Sequence, residues 1–320
     1  MLHRAIPFRV FTMKSLLRTC LGLVALSLGA CSFLPKSNDK TASAPPPVVQ
    51  VREPVVALVL GGGGVKGFAH VGVIKVLESH GIKPTIVVGT SAGSFVGALY
   101  ASGMSAFDLQ KTALNLQESD LRDLTLSSQG FLQGEKLQSF IDKQVNNKPI
   151  QNFPIRFAAV ATNLQTGEKV NFNYGDAGQA VRASCSIPNV FLPTVINGKK
   201  YVDGGLVSPV PVLTAKDMGA DVVIAVDISA RPKKSASALS FWGMLDQSIN
   251  ILSLQAIKME LAQADVVIQP NVQRADLLNL DQKHDLILEG ERSTIQKLPL
   301  IQQAIAQAKA KLTLAANAAQ

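Results

Sequence analysis

The most constraining feature of this 320-residue sequence is a run of four glycines directly after an apolar segment. Residues Val55–Leu60 are all apolar, as expected for a strand buried on both faces of a parallel sheet. Gly61–Gly64 follow at once, and residues 66–80 then show helical periodicity that ends at Gly81. A strand, a glycine loop and a helix in this order predict the opening of an α/β domain with a parallel sheet.

A second strand leads into a serine flanked by glycines. Residues 85–88 form another β-prone run, and Gly89-x-Ser91-x-Gly93 follows before a helix of small and apolar residues. This spacing matches a nucleophile elbow, a tight strand-to-helix turn that leaves the serine exposed at the carboxyl edge of the sheet. The N-terminus of the next helix adds a positive partial charge there. The pattern predicts Ser91 as a nucleophile.

The glycine loop also fits a dinucleotide fingerprint, through Gly62-x-Gly64-x-x-Gly67. That fingerprint needs an acidic residue at the end of the second strand, where this chain has Gly89-Thr90. A nucleotide-binding oxidoreductase is therefore the weaker alternative, and a P-loop is excluded because no GK[ST] closes the loop. The glycine N–H groups are instead suited to hold a substrate oxyanion.

Three residues are weak candidates for the base that a serine nucleophile needs. His284 lies in a charged segment that starts a helix, and we interpret it as a solvated surface residue. His70 follows Gly67 by three residues and is expected to pack near the glycine loop. Asp227 ends an apolar strand but lacks a glycine turn.

Asp203 is the better candidate for the base. Residues 195–202 predict a β-hairpin with a two-residue Asn-Gly turn, which delivers Asp203 at the end of its second strand. Gly204 and Gly205 permit a sharp turn and leave the carboxylate uncrowded. A plain Asx turn is the alternative interpretation of this sequence.

The motifs GGGGVKG, GTSAG and DGG, in this order and spacing, resemble those of the patatin-like phospholipases. The block RASCSIP at residues 182–188, which leads to Phe191 and then DGG, resembles theirs as well. The resemblance covers about residues 55–292. It implies a three-layer α/β/α fold with a mainly parallel central sheet. It also implies a lipid acyl hydrolase of phospholipase A, lysophospholipase or esterase type that needs no histidine, metal or other cofactor.

The resemblance assigns roles residue by residue. It implies a nucleophile, its base and an oxyanion loop, namely Ser91, Asp203, and Gly62, Gly63, Gly64 and Val65. Structural roles fall to the other glycines of the motifs, namely Gly67, Gly89, Gly93, Gly204 and Gly205. Lys66 stands where the family often has arginine, which affects the anchoring of the loop more than the chemistry. A non-catalytic lipid-binding or regulatory lipoprotein on the same fold is the alternative function.

The first thirty residues predict a lipoprotein signal peptide. They carry four basic residues, no acidic residue and the short apolar run TCLGLVALSLGA. This run is shorter than the ~20 residues of a membrane span. Leu28–Cys31 resembles a bacterial lipobox, so we expect Cys31 to be lipidated, with an uncleaved membrane anchor as the alternative. Ser32 favours an outer-membrane location in the cell envelope, facing the periplasm.

Removal of residues 1–30 lowers the formal charge from +8 to +4, which gives no support for nucleic-acid binding. Membrane lipids or lipid esters are the expected partners. After lipidation of Cys31, Cys185 would be the single remaining thiol, so no internal disulfide is expected. Residues 31–54 are rich in Pro, Ser and Ala and predict a flexible tether to the domain at 55–292.

Two further segments have open interpretations. Residues 293–320 predict a C-terminal helical segment, either a surface helix or one that lies on a membrane. Residues 231–244 combine basic and aromatic side chains, which fits either a mobile lid or a partly buried loop.

Overall fold

The computed structural model describes residues 51–121, 123, 132–229, 241–273 and 280–318, with the backbone alone for residues 241–247, 249 and 250. The predicted signal peptide, the lipidation site Cys31 and the tether up to residue 50 lie outside the described residues. So do residues 230–240, which hold most of the predicted lid.

Eight strands form one mixed sheet in the part of the chain that the structure describes. They are β1 (Val56–Leu60), β2 (Ile86–Thr90), β3 (Arg156–Asn163), β4 (Lys169–Phe172), β5 (Thr194–Ile196), β6 (Lys199–Asp203), β7 (Val222–Val226) and β8 (Val266–Ile268). Four pairings are parallel, namely β1 with β2, β1 with β7, β2 with β3 and β7 with β8. β4 and β6 pair antiparallel with β3, and β5 pairs antiparallel with β6. The prediction of a mainly parallel central sheet is confirmed.

Helices pack on both faces of this sheet. They are α1 (Phe68–Ser79), α2 (Ala92–Ala101), α3 (Ala106–Asn115), α4 (Glu118–Leu121), α5 (Glu135–Gln144), α6 (Ala177–Ser184), α7 (Val212–Asp217), α8 (Phe241–Leu261) and α9 (Lys283–Ala318). Successive side chains of a strand point to opposite faces. Leu58 and Leu60 therefore pack with α1, α2, α3, α5 and α9, whereas Ala57 and Val59 pack with α7. The predicted three-layer α/β/α fold is confirmed.

Two glycines let α1 and α9 pack backbone against backbone. A Cβ atom on Gly72 would lie 2.0 Å from the carbonyl oxygen of Ile287, and one on Gly290 would lie 2.0 Å from that of Ala69. Any larger side chain at either position would force the helices apart. The predicted C-terminal helix thus begins earlier than residue 293, and its first turns support the helix that follows the glycine loop.

None of the helices in the described ranges is both long enough and apolar enough to cross a membrane.

Candidate active site

Ser91 lies in the turn between β2 and α2 with a strained backbone. Its φ of 52° and ψ of −124° are unusual for a residue with a side chain and cost about 1–3 kcal/mol. A Cβ atom on Gly89 would lie 2.3 Å from the carbonyl oxygen of Gly93, and one on Gly93 would lie 2.0 Å from that of Leu60. Both glycines of the elbow are therefore required by close contacts, as the motif predicts.

Strand β3 brings Asp203 to Ser91. Thr90, the last residue of β2, pairs with Val160, and Asp203 at the end of β6 pairs with the next residue, Ala161. β4 pairs with residues 159–162 on one side of β3. β2 and β6 therefore both pair with the opposite side of β3, β2 up to residue 160 and β6 from residue 161 onward. The sheet thus places Asp203 just beyond the end of β2, where Ser91 lies.

The carboxylate of Asp203 is buried and incompletely hydrogen-bonded. The residue is 6% exposed, its Oδ1 accepts a hydrogen bond of 2.7 Å from the Gly205 N–H, and its Oδ2 has no hydrogen-bond partner among the described residues. Burial raises the pKa of Asp203 to about 6, because the charged form loses its water. The Ser91 side chain and the Gly205 N–H oppose this rise by stabilising the carboxylate. Oδ2 is therefore available to accept a proton.

The RASCSIP block holds both residues in place. The Ser184 hydroxyl accepts a hydrogen bond of 2.9 Å from the Ser91 N–H and donates one of 2.6 Å to the carbonyl oxygen of Val160. The carbonyl oxygen of Ser186 accepts a 2.9 Å hydrogen bond from the Asp203 N–H. The sequence motifs alone assign no role to Ser184 and Ser186. The place of Ser184 in a motif block was the available signal, whereas Ser186 acts here through its backbone carbonyl, which no side-chain pattern indicates.

The start of the glycine loop is tied to two neighbouring segments. The Gly61 N–H donates to the carbonyl oxygen of Val226 at 3.0 Å, and the Gly62 N–H donates to that of Pro209 at 2.9 Å. The N–H of Gly62 is therefore already engaged. Of the four residues predicted to bind the oxyanion, Gly62 thus positions the loop instead of offering a free N–H group.

The glycine loop contacts Ser91 through Gly62, and the residues after Gly62 have free donors. In the described part of the chain, the N–H groups of Gly63, Gly64 and Val65 have no hydrogen-bond partner. A Cβ atom on Gly62 would lie 3.3 Å from the Cβ of Ser91, so the loop and the elbow are in contact. Three free backbone donors therefore follow directly after the loop residue that contacts Ser91.

The remaining motif glycines allow close packing around the site. A Cβ atom on Gly67 would lie 2.7 Å from that of Ala92 at the start of α2. One on Gly204 would lie 2.2 Å from the carbonyl oxygen of Val160, and one on Gly205 would lie 3.0 Å from the Asp203 carboxylate.

The weaker candidates for the base occupy other environments. His284 is exposed, as the sequence predicts for a solvated residue. His70 is buried and lies 2.8 Å from the carbonyl oxygen of Gly61. Both carboxylate oxygens of Asp227 accept hydrogen bonds of 3.0 Å, one from the Ser229 N–H and one from the Gln269 side-chain amide.

An apolar cavity opens beside Ser91. It has a volume of about 170 Å³ and is bounded by the glycine loop, α1, α2, α3, α4, α5 and the segment after α6. Phe95 and Phe140 stack at 5.6 Å on its wall. The Thr112 hydroxyl in the lining already donates to the Met104 sulfur at 3.8 Å. The cavity therefore suits a hydrocarbon segment.

Cys185, a free cysteine, also lines this cavity. Burial raises the pKa of its thiol far above the ordinary value, and the charge of Asp203 adds to this effect. The thiol is thus neutral, which makes it a poor nucleophile.

No group of three or more metal-ligating side chains among the described residues is placed to hold a metal ion.

Comparison with known proteins agrees with this architecture. The family model for patatin-like phospholipases matches residues 58–216. An NTE family protein of Mycobacterium bovis is 36% identical over 190 residues, which cover 58% of this chain and 52% of that protein. Lysophospholipase NTE1 of Coccidioides immitis is 37% identical over 203 residues, 60% of this chain and 13% of that protein. The matched region thus spans about half of the mycobacterial relative and much less of the fungal one.

Among solved structures, VipD from Legionella pneumophila superposes with a TM-score of 0.53 at 16% identity, covering 79% of this chain and 67% of VipD. This likeness concerns the fold. Sheet, glycine loop, elbow and sequence matches agree, and the chain belongs to the patatin-like phospholipase family.

Proposed function

We propose that this protein is a serine acyl hydrolase that cleaves carboxylic esters of lipids through a Ser91–Asp203 dyad. The observation that carries the proposal is that three groups come together around Ser91, which lines the apolar cavity. These are the strained Ser91, the unpartnered Oδ2 of Asp203, and the free N–H groups after Gly62. The family and the lysophospholipase relatives support this chemistry.

The reaction follows from these positions in two steps. Asp203 accepts the proton of the Ser91 hydroxyl while Oγ bonds to the ester carbonyl carbon. The N–H groups of Gly63 and Gly64 stabilise the negative oxygen that forms. Collapse of this intermediate breaks the bond to the alcohol, which leaves with the proton from Asp203. Water then attacks the acyl-serine by the same route, releases the fatty acid and restores both side chains.

The cavity supports a single acyl chain as the group that is bound. A cavity of ~150 Å³ holds one benzene molecule, so the 170 Å³ here encloses part of one chain. Burial of each methylene contributes about 0.8 kcal/mol. We therefore propose monoacyl lipids, such as lysophospholipids, as the preferred substrate class.

The alternative, a non-catalytic lipid-binding protein on the same fold, is disfavoured by the cost of the site. A buried carboxylate with a free oxygen and a strained serine destabilise the fold, and binding a lipid chain needs neither. Covalent labelling of Ser91 by a fluorophosphonate distinguishes the two functions.

Replacement of either dyad residue tests the mechanism. We expect Ser91→Ala and Asp203→Asn to lower kcat for p-nitrophenyl butyrate by roughly 10³-fold or more, because each removes a group that acts in the transition state. Ser119→Ala and Asp217→Asn, at exposed positions, are the matched controls and should retain full activity. Retained turnover in a correctly folded Ser91→Ala or Asp203→Asn variant would exclude the dyad.

The pKa of Asp203 sets the pH dependence. Since the base must be ionised, kcat/KM should rise with pH and level off above the pKa of about 6. The same pKa lies above the unfolded value of 3.8, so the native state binds this proton more tightly. The protonated carboxyl group of Asp203 therefore contributes stability that is fully present below pH 3.8 and is lost as the pH rises through about 6.

Asp203→Asn removes that dependence. The melting temperature of the variant should therefore exceed that of the wild type by more at pH 8 than at pH 4, while activity is lost. An activity profile flat from pH 4 to 8 would contradict the role of Asp203 as the base.

Ala113 on α3 tests the assignment of the cavity to the acyl chain. Ala113→Phe would fill part of the cavity. We therefore expect kcat/KM for a palmitoyl ester to fall about 10-fold or more, while kcat/KM for a butyrate ester changes little. Phe107→Ala, exposed on the same helix, is the control. Equal losses for both esters would place the chain elsewhere.

We also propose that residues 1–30 are a signal peptide and that lipidated Cys31 anchors the protein in the bacterial envelope, with the outer membrane favoured. The full chain expressed in a bacterium should partition into the detergent phase and incorporate labelled palmitate. Cys31→Ser should stay in the aqueous phase and keep its esterase activity. Identical partitioning of both proteins would contradict lipidation.

A further inference from the structure

His70, in the first turn of α1, is a buried polar side chain that the dyad chemistry does not use. It is fully buried, and its Nε2 lies 2.8 Å from the carbonyl oxygen of Gly61. A carbonyl oxygen only accepts hydrogen bonds, so Nε2 carries the proton and donates it. The other ring nitrogen, Nδ1, is buried and has no hydrogen-bond partner in the part of the chain that the structure describes.

The ring is neutral at physiological pH. Burial lowers the pKa of His70 to about 4, although the hydrogen bond to Gly61 and the charge of Asp227 act in the opposite direction. A neutral ring with the proton on Nε2 leaves Nδ1 as an unsatisfied acceptor, which costs stability. A leucine would fill much of this space without that cost, so packing alone does not account for an imidazole here.

The hydrogen bond from His70 completes the anchoring of the glycine loop. The Gly61 N–H is held by Val226 and the Gly62 N–H by Pro209. The Gly61 carbonyl lies between these two N–H groups and is held by His70. Together the three bonds fix the last peptide groups before Gly63, where the free donors begin. Without His70, a buried carbonyl would lose its donor and the loop would gain freedom to rotate.

We propose that His70 is a positioning residue that aims the oxyanion donors of Gly63 and Gly64 by holding the carbonyl of Gly61. This inference rests on the proposed function, because it assigns those donors to the substrate oxygen. His70 itself does not touch the substrate.

Three variants separate positioning from packing. The amide nitrogen of a glutamine side chain lies as many bonds from Cα as the Nε2 of histidine, so His70→Gln keeps a donor that reaches Gly61. His70→Asn places its amide near the Nδ1 position, and His70→Leu has no donor. We expect His70→Leu and His70→Asn to lower kcat roughly 10–100-fold, less than removal of a whole oxyanion donor. Their KM should change by less than about 3-fold, and His70→Gln should recover most of kcat.

Val73→Ala is the matched control for lost packing. Val73 is fully buried on the same helix and does not line the cavity. This variant should lose thermal stability while its kcat and its rate of fluorophosphonate inactivation stay near the wild-type values. The His70→Leu and His70→Asn variants should lose inactivation rate together with kcat, because the phosphonyl oxygen occupies the oxyanion site.

Amide hydrogen exchange of the peptide that spans residues 58–67 gives a readout that does not depend on activity. Exchange should accelerate in His70→Leu and His70→Asn but not in His70→Gln or Val73→Ala. The proposal fails if His70→Gln resembles His70→Asn in kcat and exchange, or if Val73→Ala loses as much kcat. A wild-type protein without esterase activity or labelling would defeat the proposed function instead. The exchange data would then still decide whether His70 holds the loop.

Discussion

The change of partner along β3 is the constraint on which the site depends. On one side of this strand, β2 ends with Thr90 opposite Val160. On the same side, β6 ends with Asp203 opposite the next residue, Ala161. Adjacent residues of a strand are about 3.3 Å apart. Two short side chains, a serine and an aspartate, are therefore sufficient to meet. A slip of β6 by one residue would turn Asp203 to the opposite face of the sheet.

The strained and unpaired groups of the site are surrounded by hydrogen bonds and close packing. Ser91 is strained, Asp203 keeps a free oxygen in a buried position, and the glycine loop keeps free donors. Such features cost roughly 1–3 kcal/mol each and relax unless neighbouring contacts prevent it. Ser184 bonds to the Ser91 N–H, and Gly89 and Gly93 allow close backbone packing around the elbow. Preorganised polar groups of this kind are what the stabilisation of an oxyanion requires.

The elements of the fold were predictable because their signals are local. Apolar runs bounded by glycine gave β1, β2 and the elbow, and the Asn-Gly turn before DGG gave the hairpin that carries Asp203. The contact of Ser184 was not predictable, since Ser184 bonds to a residue 93 positions away in the chain. The expected packing of His70 near the glycine loop is confirmed by its contact with the carbonyl oxygen of Gly61. α6 escaped prediction although its buried residues recur with helical spacing, because they are small and Val181 is the one large aliphatic residue of the segment. The predicted boundary at residue 292 falls inside α9, where Gly290 weakens the helical signal but is required by the contact with α1.

The lining of the cavity indicates where selectivity resides. Four polar side chains occur among the described lining residues, namely Ser91, Thr112, Glu118 and Cys185. Thr112 is already hydrogen-bonded to a sulfur, Cys185 is a neutral thiol, and Glu118 is exposed. The described lining thus offers the chain of a substrate a large apolar contact and its headgroup little polar contact. At about 0.8 kcal/mol per buried methylene, two additional methylenes outweigh a typical net hydrogen bond of about 1 kcal/mol. In the proposed reaction, discrimination between substrates at this site therefore depends on acyl-chain length and shape, and the rate of the chemical step depends on how firmly the glycine loop is held next to Ser91.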